Sequence, residues 1–423
     1  MALASARGAD RRCDKLVTSL GDGRFADVIA MLDPSGRGML STDQLKQVWT
    51  ELIRGDGTLT GWKTVGRELI GDLQVRLLEL SFARGQRMRA TIAVNEADEV
   101  HTLLFDPMAD SAPAPESPPA HVHAHAFLSE DVAIGTPPND LAGIVTVPMT
   151  GKPPYPAAVI VGGSGPTDMN GADGAEHPYK DVAEGLSSRG IVISRYDKRT
   201  VAQKDADPTH LTIDQEYIED AVVAITILRA RQDVDPARIF IVGHSLGGFV
   251  APDIAKHAGG IAGLVLMAPA GRGTLEAMAA QMRYLGAPAD KIAQIERLDA
   301  AIKAGKLPPS MMVAGAPVGY FTDLNNRNEF TLARDLGISI LVLHGGRDYQ
   351  VTDIDIAMWQ KALAGDPKAN FKEFPGLNHL FIAGTGKPGP ADYQIRSHVD
   401  ERVISAVANF IAATPPSTRS QPR

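Results

Sequence analysis

Two hydrophobic rhythms divide this chain. From Asp131 onward, short apolar runs alternate with longer stretches in which apolar residues recur every three or four positions. The runs are residues 131–135, 141–147, 156–161, 191–196, 239–242, 263–267, 338–343 and 371–374. Apolar runs of this length, bounded by turn residues, predict buried strands. Between them, residues 214–231 carry Tyr217, Ile218, Ala221, Val222, Ile225 and Leu228 on one stripe, which predicts an amphipathic helix. Strand and helix in alternation predict an α/β fold: a mostly parallel eight-stranded sheet with helices on both faces. Only a few residues around Pro137-Pro138-Asn139 join the first two strands, so that pair is expected to be antiparallel.

The earlier part of the chain reads differently. Ser41 and Gln44 have the spacing of a capping box, opening a helix with Leu45, Val48, Trp49 and Leu52 on one face. Strand-like runs follow at 73–82, 88–94 and 99–105, so residues 14–107 predict helices covering a curved sheet. Asp22, Asp27 and Asp33 are too scattered to form an acid pair, and the region is expected to serve binding or assembly. Residues 108–120 hold Pro113, Pro115, Pro118 and Pro119 with almost no apolar bulk, the composition of a linker. The expected organisation is an N-terminal α+β domain over 1–107, that linker, a second domain over 121–415, and a disordered tail over 416–423. No internal repeat is visible. His121, His123 and His125 alternate just past the linker; a polar strand entry explains them better than a metal site.

Composition narrows the classes. Of 423 residues, 44% are hydrophobic and 22% charged, a globular balance that excludes a mainly disordered chain. A net charge of -8 argues against a general nucleic-acid binder. The single cysteine, Cys13, excludes a disulfide scaffold and a multi-thiolate zinc site. No apolar run approaches the roughly 18 residues of a membrane span. The opening Met-Ala-Leu-Ala-Ser-Ala lacks a basic start but resembles the end of a cleaved signal, leaving cytoplasmic and secreted or periplasmic locations both open.

The chemistry concentrates in Gly243-His244-Ser245-Leu246-Gly247-Gly248, set between a buried-strand run and a helical pattern. There Gly-x-Ser-x-Gly places a serine hydroxyl on a sharp turn at the sheet edge. Pro252 falls inside the helix that follows and is expected to kink it or end its first segment. Such a serine needs a base held by an acid, in the chain order Ser, Asp or Glu, His. His257, His344, His379 and His398 follow Ser245, and only His379 lies in a loop after the last strand. Asp348 ends a buried strand in a glycine-loosened loop; Asp353 and Asp355 are the alternatives. The oxyanion hole needs two backbone N–H donors. Leu246 is one; Ser164, or alternatively Gly163, in Gly162-Gly163-Ser164-Gly165-Pro166 is the other. That glycine loop lacks the lysine and spacing of a nucleotide-binding loop.

With these motifs, and with Pro178-Tyr179-Lys180, Arg195-Tyr196-Asp197-Lys198-Arg199, His344-Gly345-Gly346-Arg347-Asp348 and Gly376-Leu377-Asn378-His379, the chain resembles the α/β-hydrolase superfamily. It is most similar to bacterial esterases of the dienelactone-hydrolase and serine-aminopeptidase-like type that carry an extra N-terminal domain. The resemblance implies a Ser245–Asp348–His379 triad and, for residues 14–107, a cone-like fold similar to nuclear transport factor two. Two departures from it are Gly162, where many relatives have histidine, and Thr200-Val201-Ala202, without the usual glycine-rich turn. Asp197, Lys198 and Arg199 read as a structural charge cluster rather than as substrate contacts.

Some 70 residues separate the runs at 263–267 and 338–343, too many for a simple link. Residues 271–335 are therefore expected to form a helical cap. Met282, Met311 and Met312 from the cap, with His244, are candidates for the pocket lining. The expected activity is a serine carboxylic-ester hydrolase acting on small or medium acyl esters, with no cofactor, no metal and no nucleic-acid partner. An acyl-CoA thioesterase or a peptidase with the same triad is the alternative; outside catalysis, a binding scaffold on a hydrolase fold. A homodimer formed through the N-terminal domain is also expected.

Overall fold

The computed structural model describes residues 2–418 apart from 54–56, 71–72, 85–86, 109–117, 120, 138, 174–175, 204–205 and 395. Pro113 and Pro115 of the expected linker, Pro138, the side chain of Leu52 and the chain end from 419 lie outside the described residues. The chain divides into two compact units, Met1–Ser117 and Pro118–Arg423.

The first unit opens with helices Ala2–Gly21, Phe25–Met31, Pro34–Met39 and Thr42–Ile53. The capping box at the last of these is formed: Ser41 N–H donates to Gln44 Oε1 at 2.9 Å, and Gln44 N–H donates to Ser41 Oγ at 3.2 Å. Strands β1 (Leu59–Ile70), β2 (Leu73–Phe82), β3 (Arg87–Val94) and β4 (Val100–Met108) follow as an antiparallel meander. Its buried residues, among them Leu78, Leu80, Ala90 and Ile92, pack with Leu16, Leu20, Val28 and Trp49 of the helices. Cys13 lies in this core, where burial pushes its thiol pKa up to about 12.

The second unit is built on β5 (Phe127–Ile134), β6 (Leu141–Pro148), β7 (Tyr155–Val161), β8 (Val192–Tyr196), β9 (Val234–His244) and β10 (Ile261–Met267). A two-stranded hairpin, β11 (Met312–Val313) and β12 (Ala316–Pro317), precedes β13 (Ser339–Gly345) and β14 (Ala369–Phe374). The large sheet has eight strands in the order β14-β13-β10-β9-β7-β8-β6-β5. As expected, β5 and β6 are antiparallel; β6 also pairs antiparallel with β8, and all other pairings are parallel. Near-continuous burial of β7, β8, β9 and β10 follows from helices on both faces.

The strand order locates the chemistry. From β7 the chain steps outward to β8, then returns past β7 to β9. The carboxyl ends of β7 and β9, adjacent through Val161 and Gly243, therefore flank a topological switch point, where open α/β sheets bind ligands. The stripe at 214–231 is a helix over Asp214–Ala230 whose first turn is a π turn, with Tyr217, Ile218, Ala221, Ile225 and Leu228 buried. The helix after Ser245 runs over Leu246–Ala258 through Pro252, so the expected end at that proline is not realised. Between β10 and β13, helices Thr274–Tyr284, Ala289–Lys303, Val318–Asn326 and Glu329–Leu336 and the small hairpin make up the inserted segment. At the chain end, Ser417 N–H donates to the Ala237 carbonyl at 2.7 Å.

Candidate active site

Ser245 sits between β9 and the helix Leu246–Ala258 with φ 55° and ψ -119°. Positive φ is uncommon for a side chain with a Cβ and is sustained only where the surroundings fix it. Here Ser245 N–H donates to Met267 O at 2.9 Å, and Ser245 O accepts from Ala270 N–H at 3.2 Å. The glycines around it serve close approach. A Cβ on Gly247 would lie 2.3 Å from Gly162 O, and one on Gly243 would lie 2.4 Å from Gly247 O. The serine turn is thus pressed against the loop that follows β7.

His379 and Asp348 meet from neighbouring strands. Asp348 follows β13 and His379 follows β14, in loops packed closely enough that a Cβ on Gly345 would lie 2.5 Å from the carbonyls of Leu377 and Asn378. Asn378 Oδ1 accepts from the N–H groups of Leu380 and Ile382, both at 3.0 Å, which curls the chain around His379. His379 Nδ1 and Asp348 Oδ2 are 2.6 Å apart, with both side chains buried. Asp348 Oδ1 accepts from Gln350 N–H at 2.8 Å and Val351 N–H at 2.9 Å.

The alternative acids are accounted for elsewhere. Asp355 accepts from Arg272 Nη2 at 2.6 Å and from the N–H groups of Gly271, Arg272 and Thr352, tying the start of the inserted segment to the helix Asp353–Ala362. Burial raises its pKa, but the bonds from Arg272 outweigh that and lower it overall. The side chain of Asp353 is 95% exposed. Of the other histidines, His257 bonds within its own helix, His344 faces the Val351 carbonyl, and His398 pairs with Asp181.

His244 lies below the site rather than in its wall. Gly163 N–H donates to Tyr179 Oη at 2.9 Å, and Tyr179 Oη is 2.9 Å from His244 Nδ1. His244 Nε2 is 3.0 Å from the His379 carbonyl. Burial, then the neighbouring His379, lowers the His244 pKa to about 3, so the ring is neutral at ordinary pH. A carbonyl can only accept, so Nε2 carries the proton and Nδ1 accepts from the tyrosine hydroxyl. This chain of hydrogen bonds consumes the Gly163 N–H and leaves Ser164 as the exposed donor of the loop.

Ser164, Ser245 and Leu246 line a cavity of about 120 Å³. Ser164 and Leu246, with Thr274 and Met278, also line a second cavity of about 280 Å³ whose far wall is Ala314, Ala316, Tyr320 and Phe321. Arg272, Thr274, Ala277, Met278 and Gln281 of the inserted segment line the smaller cavity together with Ser245. The methionine that reaches it is Met278. Met311 and Met312 are each 40% exposed, and Met282 lines neither cavity. Met278 and Met282 lie on the helix Thr274–Tyr284, and Met311 and Met312 at the start of the small hairpin, a difference that the abundance of methionines alone does not reveal.

Sequence reasoning also missed the role of Lys198. Asp197 accepts from Met169 N–H and Arg199 pairs with Asp220, as a structural cluster would. Lys198 Nζ instead reaches Gly163 O at 2.8 Å and Gly165 O at 2.9 Å. Among the described residues no cluster of three His, Cys, Asp or Glu could hold a metal ion, and no helix is long and apolar enough to cross a membrane.

Residues 170–384, which include Ser245, Asp348 and His379, match the hydrolase family described as serine aminopeptidase S33. Esterase EstD of Thermotoga maritima is 35% identical over 407 residues, covering 95% of each chain. The chain belongs to this family of α/β-hydrolases. It is an enzyme, a serine hydrolase, and its likeness to a relative extends over the N-terminal unit as well. Among solved structures, the Pyrobaculum calidifontis esterase is 18% identical, covering 67% of this chain and 85% of that one, with a TM-score of 0.43. Est1E of Butyrivibrio proteoclasticus is 15% identical, covering 67% and 97%, with a TM-score of 0.44.

Proposed function

We propose that this carboxylesterase-type hydrolase cleaves carboxylic esters through a Ser245–His379–Asp348 triad and an acyl-enzyme intermediate. The observation that carries the reading is the buried 2.6 Å contact between His379 Nδ1 and Asp348 Oδ2, at the sheet end where Ser245 is held at positive φ. Asp348 fixes the tautomer with the proton on Nδ1, leaving Nε2 free to take the proton from Ser245 Oγ. Oγ attacks the ester carbonyl, and the negative oxygen is held by the N–H groups of Leu246 and Ser164. His379 then gives its proton to the leaving alcohol. Water activated by the same ring hydrolyses the acyl-enzyme and restores Ser245.

The 120 Å³ cavity holds the reacting carbonyl, and the adjoining 280 Å³ space, walled by Met278, Tyr320 and Phe321, takes a small or medium apolar acyl group. Residues 121–415 form the catalytic part of this reading, with residues 271–335 as the cap. The N-terminal unit serves assembly, its Val65, Leu69 and Leu104 being exposed on β1 and β4. Sedimentation of the intact chain distinguishes a homodimer from a monomer.

The test of the chemistry is hydrolysis of a chain-length series of p-nitrophenyl esters by wild type and Ser245→Ala, with mass spectrometry of phosphonate-treated protein. Turnover lost in the variant and a single adduct on Ser245 are expected. No ester turnover by wild type would turn the reading to thioesters or peptides; retained turnover by the variant would end it.

A further inference from the structure

We propose that Lys198 and Tyr217 are positioning residues of the oxyanion hole: by binding the Gly163 carbonyl from below they turn the Ser164 N–H towards the reacting oxygen. The inference rests on the reading of Ser164 as a donor given above.

The geometry is that of a single peptide unit. Gly163 O accepts from Lys198 Nζ at 2.8 Å and from Tyr217 Oη at 2.8 Å. Both donors are buried, and neither lines the cavities beside Ser245. In a planar trans peptide the C=O of one residue and the N–H of the next point in opposite directions. Holding the Gly163 carbonyl inward therefore sends the Ser164 N–H outward, into the cavity it shares with Ser245 and Leu246. Glycine has no side chain to resist rotation of this peptide, so its orientation must come from partners. Lys198 supplies a second anchor by also donating to Gly165 O at 2.9 Å.

The cluster is built to keep that grip. Lys198 Nζ lies 3.0 Å from Glu216 Oε1 and 2.8 Å from Tyr217 Oη, so four acceptors surround it. A neutral amine has only two protons to offer; the ammonium has three and suits the site better. Burial lowers the lysine pKa, and Glu216 opposes that fall. Glu216 is itself held by Tyr320 Oη at 2.6 Å and Thr200 Oγ1 at 3.0 Å. A buried ion pair is costly in stability, and a wholly apolar contact would fill the space more cheaply. Its retention directly beneath the oxyanion loop is accounted for by the positive charge and fixed dipoles it places behind the Gly163–Ser164 peptide.

The test measures kcat, KM and the Ki of a trifluoromethyl ketone with the preferred acyl chain, for wild type, Tyr217→Phe and the Lys198→Met/Glu216→Gln double variant. Tyr217→Phe removes one donor and keeps the ring in place. The double variant removes both charges together, so no unpaired carboxylate is left buried. Removal of one oxyanion donor costs on the order of 10²–10³-fold in kcat. Loss of one of the two anchors is accordingly expected to lower kcat about tenfold, and loss of the lysine about 100-fold, with KM within twofold. The ketone Ki should rise by the same factor as kcat falls, because the hemiketal oxygen occupies the same hole. A purely structural role would lower the melting temperature while leaving kcat per folded site and Ki unchanged; that result overturns the proposal. If the double variant does not fold, Tyr217→Phe decides the matter alone. Ester turnover that survives Ser245→Ala would instead overturn the reading on which the proposal rests.

Discussion

Asp348→Asn tests the proposed role of Asp348 in orienting His379 as the base. The structure dictates how the amide must sit. Asp348 Oδ1 receives two backbone N–H groups, from Gln350 at 2.8 Å and Val351 at 2.9 Å, and only an oxygen can accept them. The asparagine NH2 is thereby directed at His379 Nδ1, which must then accept. The imidazole proton moves to Nε2, the nitrogen that in the proposed mechanism must accept from Ser245, and proton abstraction is blocked. Flipping the amide restores the useful tautomer but turns NH2 against two backbone N–H donors, the buried one of Val351 and the half-buried one of Gln350, at about 1–3 kcal/mol each. A combined cost of about 2–6 kcal/mol leaves the productive form scarcer by roughly 30- to 25,000-fold. The same substitution in a serine protease triad lowers kcat by about 10⁴, inside that window. The assay is kcat/KM on the preferred p-nitrophenyl ester, with Ser245→Ala as the background and urea unfolding to confirm a folded protein. A loss smaller than about tenfold would refute the reasoning, since the two backbone donors would then not be fixing the amide.

Two further outcomes follow from packing and charge. Gly247→Ala places a Cβ 2.3 Å from Gly162 O and 2.4 Å from Val161 O, both backbone atoms that cannot swing away; a destabilisation of about 3 kcal/mol by urea unfolding is expected, with esterase activity falling alongside. Glu176 is fully buried, its carboxylate oxygens have no hydrogen-bond partner among the described residues, and burial, then Asp173, raises its pKa from 4.5 to about 8. The folded state therefore holds this proton more tightly than the unfolded chain, so stability is full below pH 4.5 and is lost as pH rises towards 8, by up to about 1.4 kcal/mol per unit. Glu176→Gln should abolish that slope, and the variant's advantage in urea midpoint should grow between pH 5 and pH 8; equal slopes would contradict the assignment.

What could be read in advance depended on whether the signal was local. The serine turn was legible because its glycines, strand and helix are contiguous, and all eight strands of the large sheet were legible as strand-like runs, the inner ones apolar and the exposed edge strands β5 and β14 less so. In the first unit β1 was not. Its sequence holds Gly61 and Gly66, and the pairing with β2 slips at both, so the two-residue rhythm that marks a strand is interrupted. Long-range partners were equally hidden. Tyr217 reads as one more apolar position of a helical stripe, and nothing near it in sequence tells that its hydroxyl meets a carbonyl 54 residues earlier. Lys198 read as part of a structural charge cluster, which it is, but nothing near it in sequence tells that its ammonium holds the carbonyls of Gly163 and Gly165. Among the cap methionines, Met278 lines the cavities beside Ser245 while Met282, Met311 and Met312 do not: abundance was visible, and which of them face the cavity was not.

The hydrogen bonds from Gly163 through Tyr179 and His244 to the His379 carbonyl join two loops that are more than 200 residues apart in sequence. Each link has a fixed direction, since a neutral imidazole offers one donor and one acceptor. The two loops consequently behave as one machine part, and a graft that imports only one of them from a relative breaks the polarity of the chain at its seam. Anyone reshaping this enzyme should move the loop after β7, Tyr179, His244 and the loop after β14 together, as a cassette.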